Sequence, residues 1–96
     1  MYYKLDKDHN IVKTDILDKD AFNIANRRVA ETTLPNGKWI STVFLTIDHS
    51  FGSGPPILFE SMVFAGKESS EDLTQRRYCT WEEAVKGHEE LVKEYS

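Results

Sequence analysis

At 96 residues the chain has room for one domain and one modest core, and its 40% hydrophobic and 11% aromatic content is that of a globular protein. No apolar run approaches the roughly 20 residues that cross a bilayer, and the opening MYYKLDKDHN lacks the basic-then-apolar order of a signal peptide. A formal net charge of −4 argues against phosphate-backbone binding, which needs clustered Lys and Arg. The single Cys79 rules out an internal disulfide and agrees with a reducing, intracellular compartment.

Residues 2–6 (YYKLD) and 11–14 (IVKT) are short strand-like runs. The intervening Lys7, Asp8, His9 and Asn10 suit a tight turn, which predicts a small hairpin with His9 exposed. Asp15 or Asp18 can cap a helix start, and a short helix is expected near residues 18–26. Residues 28–34 (RVAETTL) read as a strand. Asn36-Gly37 follows between two β-prone runs, a hairpin signal that predicts a type I′ turn flanked by Leu34 and Trp39.

The central stretch, residues 40–65, organises the rest. Ile40, Thr42, Val43, Phe44, Leu45 and Ile47 form one β-branched and aromatic run, and Ile57, Leu58, Phe59, Met62, Val63 and Phe64 form a second. Between them the glycines and prolines of residues 50–56 forbid helix and permit reversal, so the two runs should pair antiparallel as a hairpin with a long tip. Residues 66–74 are polar and predict a surface loop, after which residues 76–79 suit a short edge strand. The last element is the clearest helix. Thr80 and Glu83 form a capping box, and Trp81, Ala84, Val85, Leu91, Val92 and Tyr95 recur at helical spacing with His88 in the middle of their stripe. That apolar face must lie against the sheet. The expected architecture is a single α+β domain over residues 1–96: an antiparallel sheet of about four strands, a short early helix and a carboxy-terminal amphipathic helix on one face.

The sharpest chemical constellation pairs His49, at the end of a central strand, with His88 on the closing helix. With the helix over the sheet, the two imidazoles would hold one zinc ion, Asp48, Glu60 or Cys79 completing the shell. The competing reading makes His88 a satisfied core histidine, bonded to a backbone carbonyl or to Glu60, and His49 a cap on the strand end. Strand parity puts Val43, Leu45, Ile47 and His49 on one face and Asp48 with Thr42, Phe44 and Thr46 on the other, while the register of Glu60 stays open. A Cys79 nucleophile with His88 as base fails on distance, since His88 lies more than two turns up the same helix, roughly 12 Å away at 1.5 Å per residue. A triad of Asp48, His49 and Ser50 fails because consecutive residues do not align side chain to side chain. Residues 52–56 lack the following helix of a phosphate-binding loop.

The runs STVFLTIDHSF, GPPILFESMVF and RRYCTWEEAVKGHEELV resemble a family of small proteins encoded by phages and prophages, most of them without an assigned activity. The resemblance covers nearly the whole chain, from MYYKLD through RRVAETT to the final helix. Asp48-His49, the GPP at 54–56, Phe59-Glu60 and Gly87-His88 match the family pattern, whereas Cys79 stands where serine is expected. The resemblance implies a phage setting, the cytoplasm of a host bacterial cell as the place of action, and an anti-CRISPR protein that binds a CRISPR nuclease. Some anti-CRISPR proteins are metal-stabilised, which adds weight to zinc at His49 and His88.

The expected function is therefore a non-enzymatic inhibitor that acts by protein–protein contact and not on nucleic acid or membrane directly. Its expected surfaces are the acidic helix face of Glu82, Glu83, Glu89 and Glu90 and the loop around Glu68, Glu71 and Asp72. An acidic surface suits a basic partner, including a nucleic-acid-binding protein whose phosphate contacts it occupies. The alternatives are a metal-dependent hydrolase using His49 and His88 with an open coordination position, and a structural phage accessory protein.

Overall fold

The computed structural model describes residues 2–48, 54–69 and 71–96. β1 (Tyr2–Leu5) and β2 (Ile11–Thr14) pair antiparallel as a separate two-stranded sheet, with Tyr2 opposite Thr14 and Leu5 opposite Ile11. The Asp6 carboxylate fixes their turn by accepting from the amides of Asp8 (2.8 Å) and Asn10 (2.9 Å), and His9 takes up a left-handed backbone, φ 65°.

The expected single helix near residues 18–26 is two shorter pieces, a 3-10 turn at Lys19–Phe22 and α1 at Ile24–Arg27. Asn23 divides them. Its extended backbone (φ −72°, ψ 124°) ends the first piece while its side chain caps the second by accepting from the Ala25 amide at 2.9 Å. An asparagine that satisfies an orphan amide in this way is more stable as a cap than inside a continuous helix.

β3 (Arg28–Thr33), β4 (Trp39–Phe44), β5 (Phe59–Phe64) and β6 (Asp72–Tyr78) form an antiparallel meander in the order β3-β4-β5-β6. The β3–β4 connection differs from the expected type I′ turn. The Gly37 amide donates to Leu34 O (2.9 Å), the Leu34 amide donates to Lys38 O (2.8 Å), and only Gly37 (φ 92°) is left-handed. This is a type I turn closed by a left-handed glycine, and Pro35 favours it because its fixed φ suits the first central position of a type I turn, while its missing N–H could not close a turn centred on Asn36-Gly37.

β6 begins at Asp72, inside the stretch expected to be loop, because an edge strand with exposed side chains needs backbone pairing and little burial. β4 stops at Phe44. Leu45 still donates to Leu58 O (2.6 Å), but Thr46 O accepts from the Tyr3 amide (2.8 Å) and Ile47 bridges Tyr2, so residues 45–47 carry the small sheet.

α2 (Trp81–Tyr95) packs on the sheet face that displays Ile40, Thr42, Phe44, Phe59, Ser61 and Val63. Its start carries the expected reciprocal cap, Thr80 Oγ1 accepting from the Glu83 amide and Glu83 Oε1 accepting from the Thr80 amide, both at 3.1 Å. Two apolar clusters hold it. Leu34, Ile40, Val63 and Leu91 meet near its end, and Phe44, Leu58, Phe59 and Ala84 meet near its start. Each fully buried Phe or Leu among them contributes about 1.5–3 kcal/mol. Among the described residues no helix is long and apolar enough to cross a membrane.

Candidate functional site

Between the two clusters lies a polar centre. Thr42 and Ser61 are 0% exposed and His88 is 5% exposed. His88 Nδ1 meets Thr42 Oγ1 at 2.7 Å and Nε2 meets Thr32 Oγ1 at 2.8 Å, so one imidazole ties α2 to both β3 and β4. Thr42 Oγ1 meets Ser61 Oγ at 2.5 Å, and the Tyr78 hydroxyl donates to Ser61 Oγ at 3.1 Å. The chain of hydroxyls thus spans all four strands. A neutral ring has one donor and one acceptor nitrogen, and the rotatable threonine hydroxyls complement either tautomer. Burial pushes the His88 pKa below 6.5, with a weaker upward pull from Glu89.

Gly87 makes this approach possible: a Cβ there would collide with the Tyr78 ring.

Among the described residues the other proposed ligands do not gather around His88. Glu60 sits opposite Val43 and Arg77, on the sheet face turned away from α2, where it accepts from Arg77 Nε (3.0 Å) and Gln75 Nε2 (2.5 Å). That register removes Glu60 both as a fellow ligand of His88 and as the hydrogen-bond partner offered beside a backbone carbonyl, because alternation sends residues 60 and 61 to opposite faces. Asp48 accepts from the Ile57 amide at 2.8 Å across the central hairpin connection. His49 lies outside the described residues. Cys79 is free and half-buried ahead of the α2 cap. Among the described residues no three His, Cys, Asp or Glu side chains converge as a metal-ligand set, and a metal on His88 would have to displace a threonine hydroxyl from one ring nitrogen.

The acidic surfaces divide by what already neutralises them. Glu83 is committed to the cap, and Glu90 pairs with Arg76, which also binds Glu94 at 3.1 Å. Glu82, Glu89, Glu68, Glu71 and Asp72 are exposed and make no ion pair among the described residues.

Two further surfaces carry exposed apolar groups. The sheet face away from α2 presents half-buried Trp39, Val43, Met62 and Phe64, with Trp39 and Phe64 stacked at 5.2 Å. Glu31 accepts from Trp39 Nε1 at 2.9 Å beside Arg28, whose guanidinium lies 5.9 Å from the Trp39 ring centre. The second surface is the turn after β2, where Ile16 is 62% and Leu17 83% exposed. The turn is nonetheless braced. Asp15 accepts from the Leu17 amide (2.8 Å), while Asp18 accepts from Thr14 Oγ1 (2.7 Å) and Lys4 Nζ (2.9 Å). The Thr14 hydrogen bond, followed by the one from Lys4, holds the Asp18 carboxyl at about 2. The aspartates flanking Ile16 and Leu17 were the sequence signal for this ordered turn.

Comparison of the chain with protein-family models, curated proteins and solved structures finds no significant match.

Proposed function

We propose that this protein is a non-enzymatic binding protein of phage origin that blocks a host defence nuclease of the CRISPR type through protein–protein contact. The observation that carries the contact reading is the braced turn presenting Ile16 and Leu17 to solvent. Two adjacent large aliphatics held in a fixed geometry lose little conformational freedom on docking, which is how a small surface becomes a binding hot spot. The acidic groups Glu82, Glu89, Glu68, Glu71 and Asp72, which make no ion pair among the described residues, add a field that steers a basic partner, such as the nucleic-acid channel of a nuclease. The resemblance to small phage proteins supplies the identity of that partner.

The test is gel filtration and calorimetry of the purified chain with CRISPR nucleases. A complex that weakens about tenfold or more in Leu17→Ser supports the reading, since truncating a central apolar anchor removes 2 kcal/mol or more. No complex with any of them, or a complex indifferent to Leu17 and to the acidic groups, overturns it.

A further inference from the structure

α2 covers one face of the four-stranded sheet, and the other presents half-buried Trp39, Val43, Met62 and Phe64. The register ranks the side chains of that second face in three rows across the strands. Arg28, Val43, Glu60 and Arg77 form the first row. Glu31 and Met62 stand in the second, and Trp39, Phe64 and Asp72 form the third.

The charges of this face cancel. Arg28 binds Glu31, Lys67 reaches Glu31 at 3.7 Å, and Arg77 binds Glu60 at 3.0 Å. Asp72 is exposed and makes no ion pair among the described residues. The cations Arg28, Lys67 and Arg77 thus balance the carboxylates Glu31, Glu60 and Asp72, and the net charge of −4 lies on the other surfaces of the chain. No positive excess is left here for a phosphate backbone. Two copies of an acidic protein repel one another wherever the excess is displayed, as at Glu82 and Glu89 on α2, so a neutral apolar face is where they approach most easily.

We infer that this face joins two copies of the chain in a weak symmetric dimer, sheet against sheet, about a two-fold axis that runs across the strands through the second row. Each strand then lies over its own counterpart running the opposite way, within the roughly 30° offset of aligned sheet packing. The first row of each copy falls on the third row of the other. Val43 meets Trp39, and Arg77, which holds Glu60 through Nε, reaches Asp72 of the second copy with its Nη groups. Met62 meets its own counterpart, a contact its unbranched side chain can fill. The two carboxylates that gain no cation there, Glu60 over Phe64 and Glu31 over its counterpart, are already paired within their own chain. An axis along the strands would instead set Arg28 on Arg77 at both ends of the first row, and like charges exclude it.

Four strands about 4.8 Å apart and three rows about 7 Å apart give a patch of about 400 Å² per copy. A standard interface takes roughly 800 Å² from each partner, so this dimer belongs to the weak class, with Kd on the order of 100 µM.

The experiment is sedimentation equilibrium and nitrogen–proton correlation NMR of the full chain between about 20 µM and about 1 mM, a range that brackets a Kd of this class. The average mass should rise toward twice that of the monomer, with concentration-dependent shifts at Trp39, Val43, Met62, Phe64 and Asp72. Asp72→Lys, at an exposed position, and Met62→Lys, in the middle of the patch, each weaken the dimer about tenfold or more, and either variant carries the test without the other. Arg77→Glu also weakens it, yet mixing Arg77→Glu with Asp72→Lys restores a dimer of one copy of each, because every reversed charge then faces its opposite. A monomer at the highest concentration, a dimer indifferent to both lysine variants, or a mixture no tighter than its folded components overturns the inference. So do concentration-dependent shifts confined to Ile16 and Leu17, or shifts of Trp39 and Phe64 produced by a short single-stranded oligonucleotide instead of by self-association. None of these variants touches Leu17 and no nuclease is present, so this inference and the contact reading above fail separately.

Discussion

Removing the Thr42 hydroxyl tests whether the polar centre holds α2 to the sheet as a unit. In Thr42→Val the side chain keeps its shape but gives up its contacts to His88 Nδ1 and Ser61 Oγ. Two lost hydrogen bonds at about 1 kcal/mol each, with a buried ring nitrogen left unsatisfied, predict a loss of about 2–4 kcal/mol. His88→Leu takes one partner from the Thr42 hydroxyl, which keeps Ser61, and the partner of Thr32, which is half-buried and can recruit water, so about 2–3 kcal/mol is expected. In the double variant neither side of the Thr42–His88 pair is left alone. Its total should therefore fall short of the sum by about 1–2 kcal/mol. Urea denaturation at pH 7.5 measures all three, and each kcal/mol corresponds to about 4–8 °C in Tm for a domain of this size. Additivity within about 0.5 kcal/mol would refute the coupled network.

Three other outcomes follow from the same geometry. Because burial lowers the His88 pKa, the unfolded chain binds a proton there while the folded ring is still neutral. The stabilisation is complete above about pH 6.5 and is lost as pH falls through the lower folded value, so His88→Leu should show a flatter stability profile below pH 6.5. Gly87→Ala should destabilise by about 1–3 kcal/mol despite the better helix propensity of alanine, because its Cβ overlaps the Tyr78 ring, and Tyr78→Val should relieve much of that loss. Leu17→Ser should leave urea stability within about 0.5 kcal/mol of the parent, since a side chain 83% exposed contributes little to the fold.

The architecture was legible wherever the sequence wrote its period without competition. The capping box at Thr80 and Glu83, the stripe from Trp81 to Tyr95 and the paired runs on either side of the Gly/Pro stretch each specify an element locally. Legibility failed where pairing rather than composition decides. The edge strand at Asp72–Tyr78 is mostly polar and is ordered by the backbone of β5, and Asn23 breaks a helix that composition alone would continue.

The polar centre was half visible. His88 stood out as a lone imidazole in an apolar stripe, but its partners are threonines from β3 and β4 that any strand contains, and only the register brings Thr32, Thr42 and Ser61 under one helix turn. The same register sends Glu60 to the far face. The His9–Trp81 stack joins residues at opposite ends of the chain and left no local signal.

The most direct measurement is the nitrogen-15 spectrum of the His88 imidazole, recorded against pH and with equimolar zinc. The hydrogen-bonded linker described here predicts ring-nitrogen resonances of a neutral imidazole at pH 7.5, a ring that takes up its proton only below 6.5, and no change on adding zinc. A ring already charged at pH 6.5, or a zinc-induced shift of either nitrogen, would contradict it.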